Sequence, residues 1–241
     1  MEALGEPGGR ADPAGRNLTF GLLEVLGRAI VTGAYEAERF PTEAELAARH
    51  MVSRSVTREA VKMLTAKGLL TARPRKGTTV QPSSSWNLFD TDVLRWLLER
   101  KFSLELLRQF SELRIAIEPE AAALAARGGA SAVAEIRVRF ERMAAAEAAG
   151  EDTLEADIAF HVAVLNASAN PFYMQFRDVV ATALRTSIRF TNRFKGRTAS
   201  LPAHQTVLAA IEAGDGEAAR GAMAAIIAEV MAMIEDAERD A

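Results

Sequence analysis

The chain has 241 residues, of which 49% are hydrophobic and only 6% aromatic, with no cysteine and a net charge of −3. That length suits one large domain or two small ones, and the composition is that of a packed helical protein rather than a β-sandwich. The absence of cysteine excludes disulfides and thiolate zinc sites and fits a reducing, cytoplasmic setting, while the most apolar stretch, residues 222–234, is broken by Glu229 and too short to span a membrane.

The charge is unevenly spread. Residues 49–80 hold eight Lys or Arg against one acid, Glu59, so this segment is +7, and the remainder, with 21 basic and 31 acidic residues, is −10. Such a concentration implies a polyanionic partner for one small part of the molecule, and double-stranded DNA is the first expectation.

In chain order, residues 1–16 are rich in Gly, Ala and Pro without an apolar core and read as a disordered arm. From Leu18 to Thr32, Leu22, Leu23, Leu26, Ala29 and Ile30 recur at helical spacing, and Gly33 closes the helix. Thr42 and Glu45 form a capping box for a short second helix. Met51-Val52-Ser53 makes a turn, and Ser53 caps a third helix running to about Lys67. On a helical wheel Val56, Ala60, Met63 and Leu64 share one flank. Arg54, Ser55, Thr57, Arg58 and Lys62 take the other, with Val61 among them. The second flank carries what a helix in the major groove needs: guanidinium forks for guanine edges or phosphates, and hydroxyls beside them. Residues 69–72 and 78–80 read as short strands around the basic tip Arg73-Pro74-Arg75-Lys76-Gly77. Three helices and a wing make a winged helix-turn-helix over residues 17–82.

A polar linker, residues 83–90, follows, and residues 91–241 read as an all-α domain. Helices are predicted over about 90–100, 103–127, 131–149, 151–168, 171–194, 199–213 and 216–238, marked by the Asn170-Pro171 start and the Gly214-Asp215 break. The fold class is therefore mainly α. Chemistry-bearing groups are few here. Asp157 and His161, spaced i, i+4, project from one face of a helix and suit a single cation, and His204 stands on a later helix.

Two sets of residues resemble known families. Phe40-Pro41-Thr42-Glu43-x-Glu45-Leu46-Ala47, Val52-Ser53-Arg54-Ser55-Val56-Thr57-Arg58-Glu59-Ala60-Val61-x-x-Leu64, Gly68-Leu69 and the Gly77-Thr78-x-Val80 wing resemble the GntR family of bacterial transcription regulators. The resemblance implies operator contacts by Arg54 and Arg58 and support from Ser53, Ser55 and Thr57, with Lys62 adding charge. It also implies a wing (Arg73, Arg75, Lys76, Gly77) that enters the minor groove. Ala44 stands where many relatives carry another DNA-contacting Arg.

Farther on, Ser111-Glu112-Leu113-Arg114-x-x-x-Glu118, Asp157-x-x-Phe160-His161, Ala167-Ser168-x-Asn170-Pro171 and His204-x-x-x-Leu208 through Gly214-Asp215 resemble the FCD ligand-binding domain of the FadR-like GntR branch. That domain is an antiparallel helical bundle that often holds a divalent metal through one Asp and three His. Asp157, His161 and His204 match three ligands, and the fourth position falls on Ile226, which cannot ligate. Either water or the effector completes a Zn²⁺, Ni²⁺ or Mn²⁺ shell, or the site has become a metal-free polar pocket. By resemblance Arg114 grips an effector carboxylate; its alternative is an i, i+4 salt bridge with Glu118. Arg189 and Asn192 are further candidates for the same cavity. The Arg73-Pro74-Arg75 wing and the Trp86–Asp90 segment are also similar to those of GntR regulators that sense sugar acids such as galactonate or keto-deoxy-gluconate.

The expected function is a homodimeric, effector-responsive DNA-binding regulator, most often a repressor in this family, and not an enzyme. The alternative is a metal-dependent hydrolase built on Asp157, His161 and His204, but no general base stands evidently beside these ligands.

Overall fold

The computed structural model describes residues 13–36, 39–73, 77–101, 103–195 and 200–239, and the chain divides into two compact units, Met1–Lys101 and Phe102–Ala241. Among the described residues no helix is long and apolar enough to cross a membrane.

The first unit opens with α1 (Pro13–Val31), where Leu22, Leu23, Leu26, Ile30 and Val31 are buried. The helix includes residues 13–16, which composition alone assigns to a disordered arm. Proline is compatible with a first helical turn, where its missing N–H would have no partner anyway. The capping box of α2 (Glu43–His50) is complete: Glu45 N donates to Thr42 Oγ1 at 3.3 Å, and Thr42 N donates to Glu45 Oε2 at 2.7 Å. Met51 ends this helix in the left-handed region, at φ 53°. Ser53 Oγ then accepts from Val56 N at 3.2 Å and starts α3 (Arg54–Ala66). Strands β1 (Leu70–Arg73) and β2 (Gly77–Val80) pair antiparallel, with Leu70 opposite Val80 and Arg73 opposite Gly77.

The expected linker is packed rather than loose. Gly68, at φ +77°, lies so close to the following segment that a Cβ there would fall 2.2 Å from the Ser85 carbonyl oxygen. Asn87 N donates to the Lys67 carbonyl at 2.9 Å, and Trp86 Nε1 to that of Gln81 at 3.0 Å. Lys67 Nζ reaches the carboxylates of Asp90 and Asp92, each at 2.8 Å. The helix that follows, α4 (Thr91–Leu97), belongs to the first unit and not to the helical domain assigned from sequence. The reason is complementarity with α1. Val93, Leu94, Trp96 and Leu97 are buried, Arg95 Nη1 sits 2.6 Å from Glu24 Oε1, and the Trp96 ring lies against Gly27.

The second unit contains α5 (Leu104–Ala125), α6 (Ala130–Ala149), α7 (Leu154–Ala167), α8 (Pro171–Met174), α9 (Arg177–Lys195), α10 (Leu201–Glu212) and α11 (Gly216–Arg239). The single helix expected over 171–194 is interrupted at Gln175–Phe176. There Gln175 N and Phe176 N turn to the carbonyls three residues back, at 3.2 and 3.0 Å, and Tyr173 and Phe176 pack against the core. Helix α5 packs along α11, α6 along α7, and α7 against both α5 and α9, while α10 adjoins α5, α6 and α11. Their shared core includes Ile117, Ala121, Ile136, Phe160, Val164, Val207, Leu208 and Met223. This packing brings the inward face of α7 opposite residues of α5 and α10.

Candidate functional site

The first candidate surface lies on α3. Ser53, Arg54, Ser55, Arg58 and Lys62 are exposed. Thr57 is not: it is fully buried, and its Oγ1 donates to the Ser53 carbonyl at 3.3 Å. The buried stripe is Thr57, Ala60, Val61 and Leu64, whereas Val56 and Met63 are half-buried. The inner face is thus rotated from the one read by polarity, because a threonine that bonds its own backbone can be buried much like a valine. Arg58 Nε lies 3.4 Å from Glu43 Oε2, and Lys62 Nζ 2.8 Å from Glu59 Oε1; all four side chains remain well exposed. Pairs so wet are weak and yield readily to phosphate. In the wing Arg73 and Gly77 are exposed, with Gly77 at φ +82°, while Arg75 and Lys76 lie outside the described residues.

The second candidate is buried in the helical unit. One turn apart on α7, Asp157 and His161 meet His204 of α10, and one ligand atom from each lies within 4.8 Å of the others. Asp157 Oδ1 is 2.9 Å from His204 Nε2 and 3.8 Å from His161 Nε2, and the two Nε2 atoms are 3.3 Å apart. The outer ring nitrogens are engaged. His204 Nδ1 is 2.8 Å from the Ser200 carbonyl oxygen, and His161 Nδ1 is 2.5 Å from Glu118 Oε2. A carbonyl or carboxylate only accepts, so each Nδ1 carries a proton, and in a neutral ring Nε2 is left with its lone pair.

With both rings neutral, two imidazole lone pairs and a carboxylate oxygen converge on one point. Asp157 Oδ1, despite its closeness to His204, has no donor aligned for a hydrogen bond. Burial opposes charge on both partners, yet their pairing prevails: Asp157 is held below its ordinary pKa and His204 above it. A buried carboxylate between two imidazoles draws a cation, either a proton on His204 or a divalent metal in its place, and an Asp/His/His donor set with outer hydrogen bonds on both imidazoles fits the metal. Ile226 is half-buried against the core and contributes no donor.

Arg114 is 2% exposed, and its Nε lies 2.5 Å from Glu118 Oε1 with Nη2 3.4 Å from Oε2. Burial pushes the Glu118 carboxyl up, but the Arg114 guanidinium and the His161 ring outweigh it and hold the group low. Glu118 is a site residue that sequence reading gave only as a salt-bridge partner. The signal was its i, i+4 spacing from Arg114; its burial against α7 has no mark in the local sequence. The side chains of Arg189 and Asn192 lie outside the described residues.

Comparison with known proteins decides what these two units are. Residues 22–80 match the bacterial regulatory proteins of the gntR family, and residues 109–229 match the FCD domain. The HTH-type transcriptional regulator YieP of Escherichia coli K12 is 37% identical over 218 residues, covering 89% of this chain and 94% of the relative. The chain belongs to the GntR family of bacterial regulatory proteins. This GntR regulator is also 35% identical to the galactonate operon transcriptional repressor of Escherichia coli K12, over 88% of this chain and 94% of that one. It is 32% identical to LutR of Bacillus subtilis 168, over 77% and 86%. Among solved structures, McbR/YncC of E. coli shares the fold with a TM-score of 0.52 at 19% identity, covering 92% of this chain and 98% of that one. The GntR assignment makes the chain a transcriptional regulator with a DNA-binding winged helix-turn-helix and an FCD helical domain, and not an enzyme.

Proposed function

We propose that this GntR regulator is a homodimeric repressor whose operator affinity is set by a small carboxylic acid bound beside a divalent metal in the helical unit. The observation that carries the reading is the convergence of Asp157 Oδ1, His161 Nε2 and His204 Nε2 at 2.9–3.8 Å in a buried site. These three residues hold the metal, with Zn²⁺, Ni²⁺ and Mn²⁺ all suited to a mixed imidazole and carboxylate set. With Ile226 where a fourth side-chain ligand would stand, the bound metal has open positions for the oxygens of a ligand. A hydroxy or keto acid supplies two oxygens at once and matches that vacancy in chemistry. Two relatives point to the same class by name: the galactonate operon repressor and, at 30% identity over 78% of this chain, a putative L-lactate dehydrogenase operon regulatory protein.

On the DNA side, Arg54, Arg58 and Lys62 of α3 read a half-site and the wing adds phosphate contacts. Two copies then span a palindrome. To release the operator, the acid binds the DNA-incompetent arrangement more tightly by a few kcal/mol. The test is a mobility-shift titration of the protein on its own promoter DNA, with and without galactonate or L-lactate, before and after chelator treatment. One acid should release the DNA from metal-loaded protein only. Intact DNA binding that no hydroxy or keto acid alters would sink the reading.

A further inference from the structure

The buried charged side chains of the helical unit, among the described residues, are Arg114, Glu118, Asp157, His161 and His204, and they form one cluster. Within it Glu118 is fully used. Its Oε1 accepts from Arg114 Nε at 2.5 Å, and its Oε2 faces His161 Nδ1 at 2.5 Å and Arg114 Nη2 at 3.4 Å. Arg114 and Glu118 lie one turn apart on α5, so their pairing costs little chain entropy, and the carboxylate reaches across to α7. We propose that Glu118, clamped by Arg114, is the positioning residue that aims His161 Nε2 at the metal position, and that Arg114 braces this carboxylate rather than anchoring the ligand's own. The inference rests on the metal reading above.

First, an imidazole has two nitrogens, and the one facing a carboxylate takes the proton. Glu118 therefore fixes the His161 tautomer and turns the Nε2 lone pair toward Asp157 and His204, and it makes that nitrogen a better donor to a cation. Second, the charges balance locally. Arg114 and Glu118 cancel, and both are at most 2% exposed. Moving Arg114 onto a ligand carboxylate would strand Glu118 as a buried, half-paired anion, which is strongly unfavourable. With both imidazoles neutral, as metal ligands are, the uncancelled charge is that of Asp157. A divalent ion beside it leaves the cluster at +1, which matches a ligand of one negative charge and not a dicarboxylate.

The experiment uses the full chain and two readouts. Nitrogen-15 NMR of the metal-free protein should show a protonated, strongly hydrogen-bonded Nδ1 on His161, weakened in Glu118→Gln, whose amide oxygen still accepts, and lost in Glu118→Ala. Zinc calorimetry should show affinity falling about tenfold to a hundredfold in Glu118→Gln, and in the same direction in Glu118→Asp, which keeps the charge but shortens the reach. In zinc-saturated protein, galactonate affinity should be no lower in the Arg114→Gln, Glu118→Gln double variant than in Glu118→Gln alone. Wild-type zinc affinity in both Glu118→Gln and Glu118→Asp would overturn the proposal, as would a further large loss of galactonate binding in the double variant. If the wild type takes no zinc, the metal reading falls, and the His161 Nδ1 signal decides the bracing role by itself.

Discussion

Trp96 lies against Gly27: a Cβ added to that glycine would stand 2.2 Å from Cη2 of the indole. A glycine inside a helix costs about 1 kcal/mol relative to alanine, so its use in α1 is explained by what it admits. Gly27→Ala should therefore destabilise the first unit by about 1–3 kcal/mol of overpacking, despite the propensity gain. Both tryptophans of the chain, Trp86 and Trp96, lie in this unit, so urea unfolding followed by their fluorescence reports on it directly. An unchanged or raised midpoint would mean that α4 is not seated on α1.

The same helix pair makes acid sensitivity specific. Hydrogen bonds from Arg95, working against burial, hold the Glu24 carboxyl well below its ordinary 4.5, at about 2. A depressed carboxylate contributes stability that is complete above about pH 4.5 and is lost as the pH falls toward 2. Both side chains are partly exposed, so screening limits the contribution to about 1 kcal/mol or less. Glu24→Gln should lower the urea midpoint at neutral pH and narrow the gap between neutral and acid midpoints. A variant whose acid loss equals that of the wild type would exclude this pair as a source.

On the DNA-facing side, Arg54→Ala or Arg58→Ala should each weaken operator binding by about 1–3 kcal/mol if bidentate to guanine. Lys62→Ala should reduce the slope of log K against log salt by about 1. Replacing Arg73, Arg75 and Lys76 together should flatten it by up to about 3 phosphate equivalents. Thr57→Val removes only a hydroxyl that bonds the Ser53 carbonyl, and should leave operator affinity unchanged. Titration of the variants on promoter DNA at several salt concentrations checks all of these. A Thr57→Val loss as large as that of Arg58→Ala would put the reading face of α3 elsewhere.

Much of this architecture is legible in local sequence, and the failures share one cause. The capping box at Thr42 and Glu45, the Ser53 cap and the Asn170-Pro171 start depend on neighbours within a few residues, so spacing alone reveals them. The inner face of α3 differs from the one polarity predicts because Thr57 looks polar in sequence, yet it satisfies its hydroxyl on its own helix. The seating of helix α4 is not legible locally because what holds it, the Gly27 notch and Glu24, stands on α1, far back in the chain. Asp157 and His161 were visible as an i, i+4 pair. Glu118 was visible only as a partner for Arg114, because i, i+4 spacing is the same for a wet surface pair and for one buried beneath a histidine.

The proposed metal site gives the sharpest thermodynamic test. A ligand that binds only the folded state adds RT ln(1 + [L]/Kd), about 2.7 kcal/mol at a hundredfold excess over Kd. Zinc, nickel or manganese should therefore raise the Tm of the helical unit, followed by far-ultraviolet circular dichroism, with about one equivalent bound, as one cluster of three donors implies. Asp157→Ala and His204→Ala should each abolish the rise: removal of either leaves two protein donors, too few to compete with water for the ion at low concentration. His50, the third histidine of the chain, lies at the end of α2 in the other unit, so His50→Ala should keep the full rise. Nor should Ile226→Ala lose it, since that side chain offers no donor. By the family resemblance Ile226→His supplies the fourth imidazole and should tighten metal binding while weakening the acid, because a closed shell leaves fewer open positions. A metal-dependent shift that survives in both the Asp157 and the His204 variants would place the ion elsewhere in the molecule.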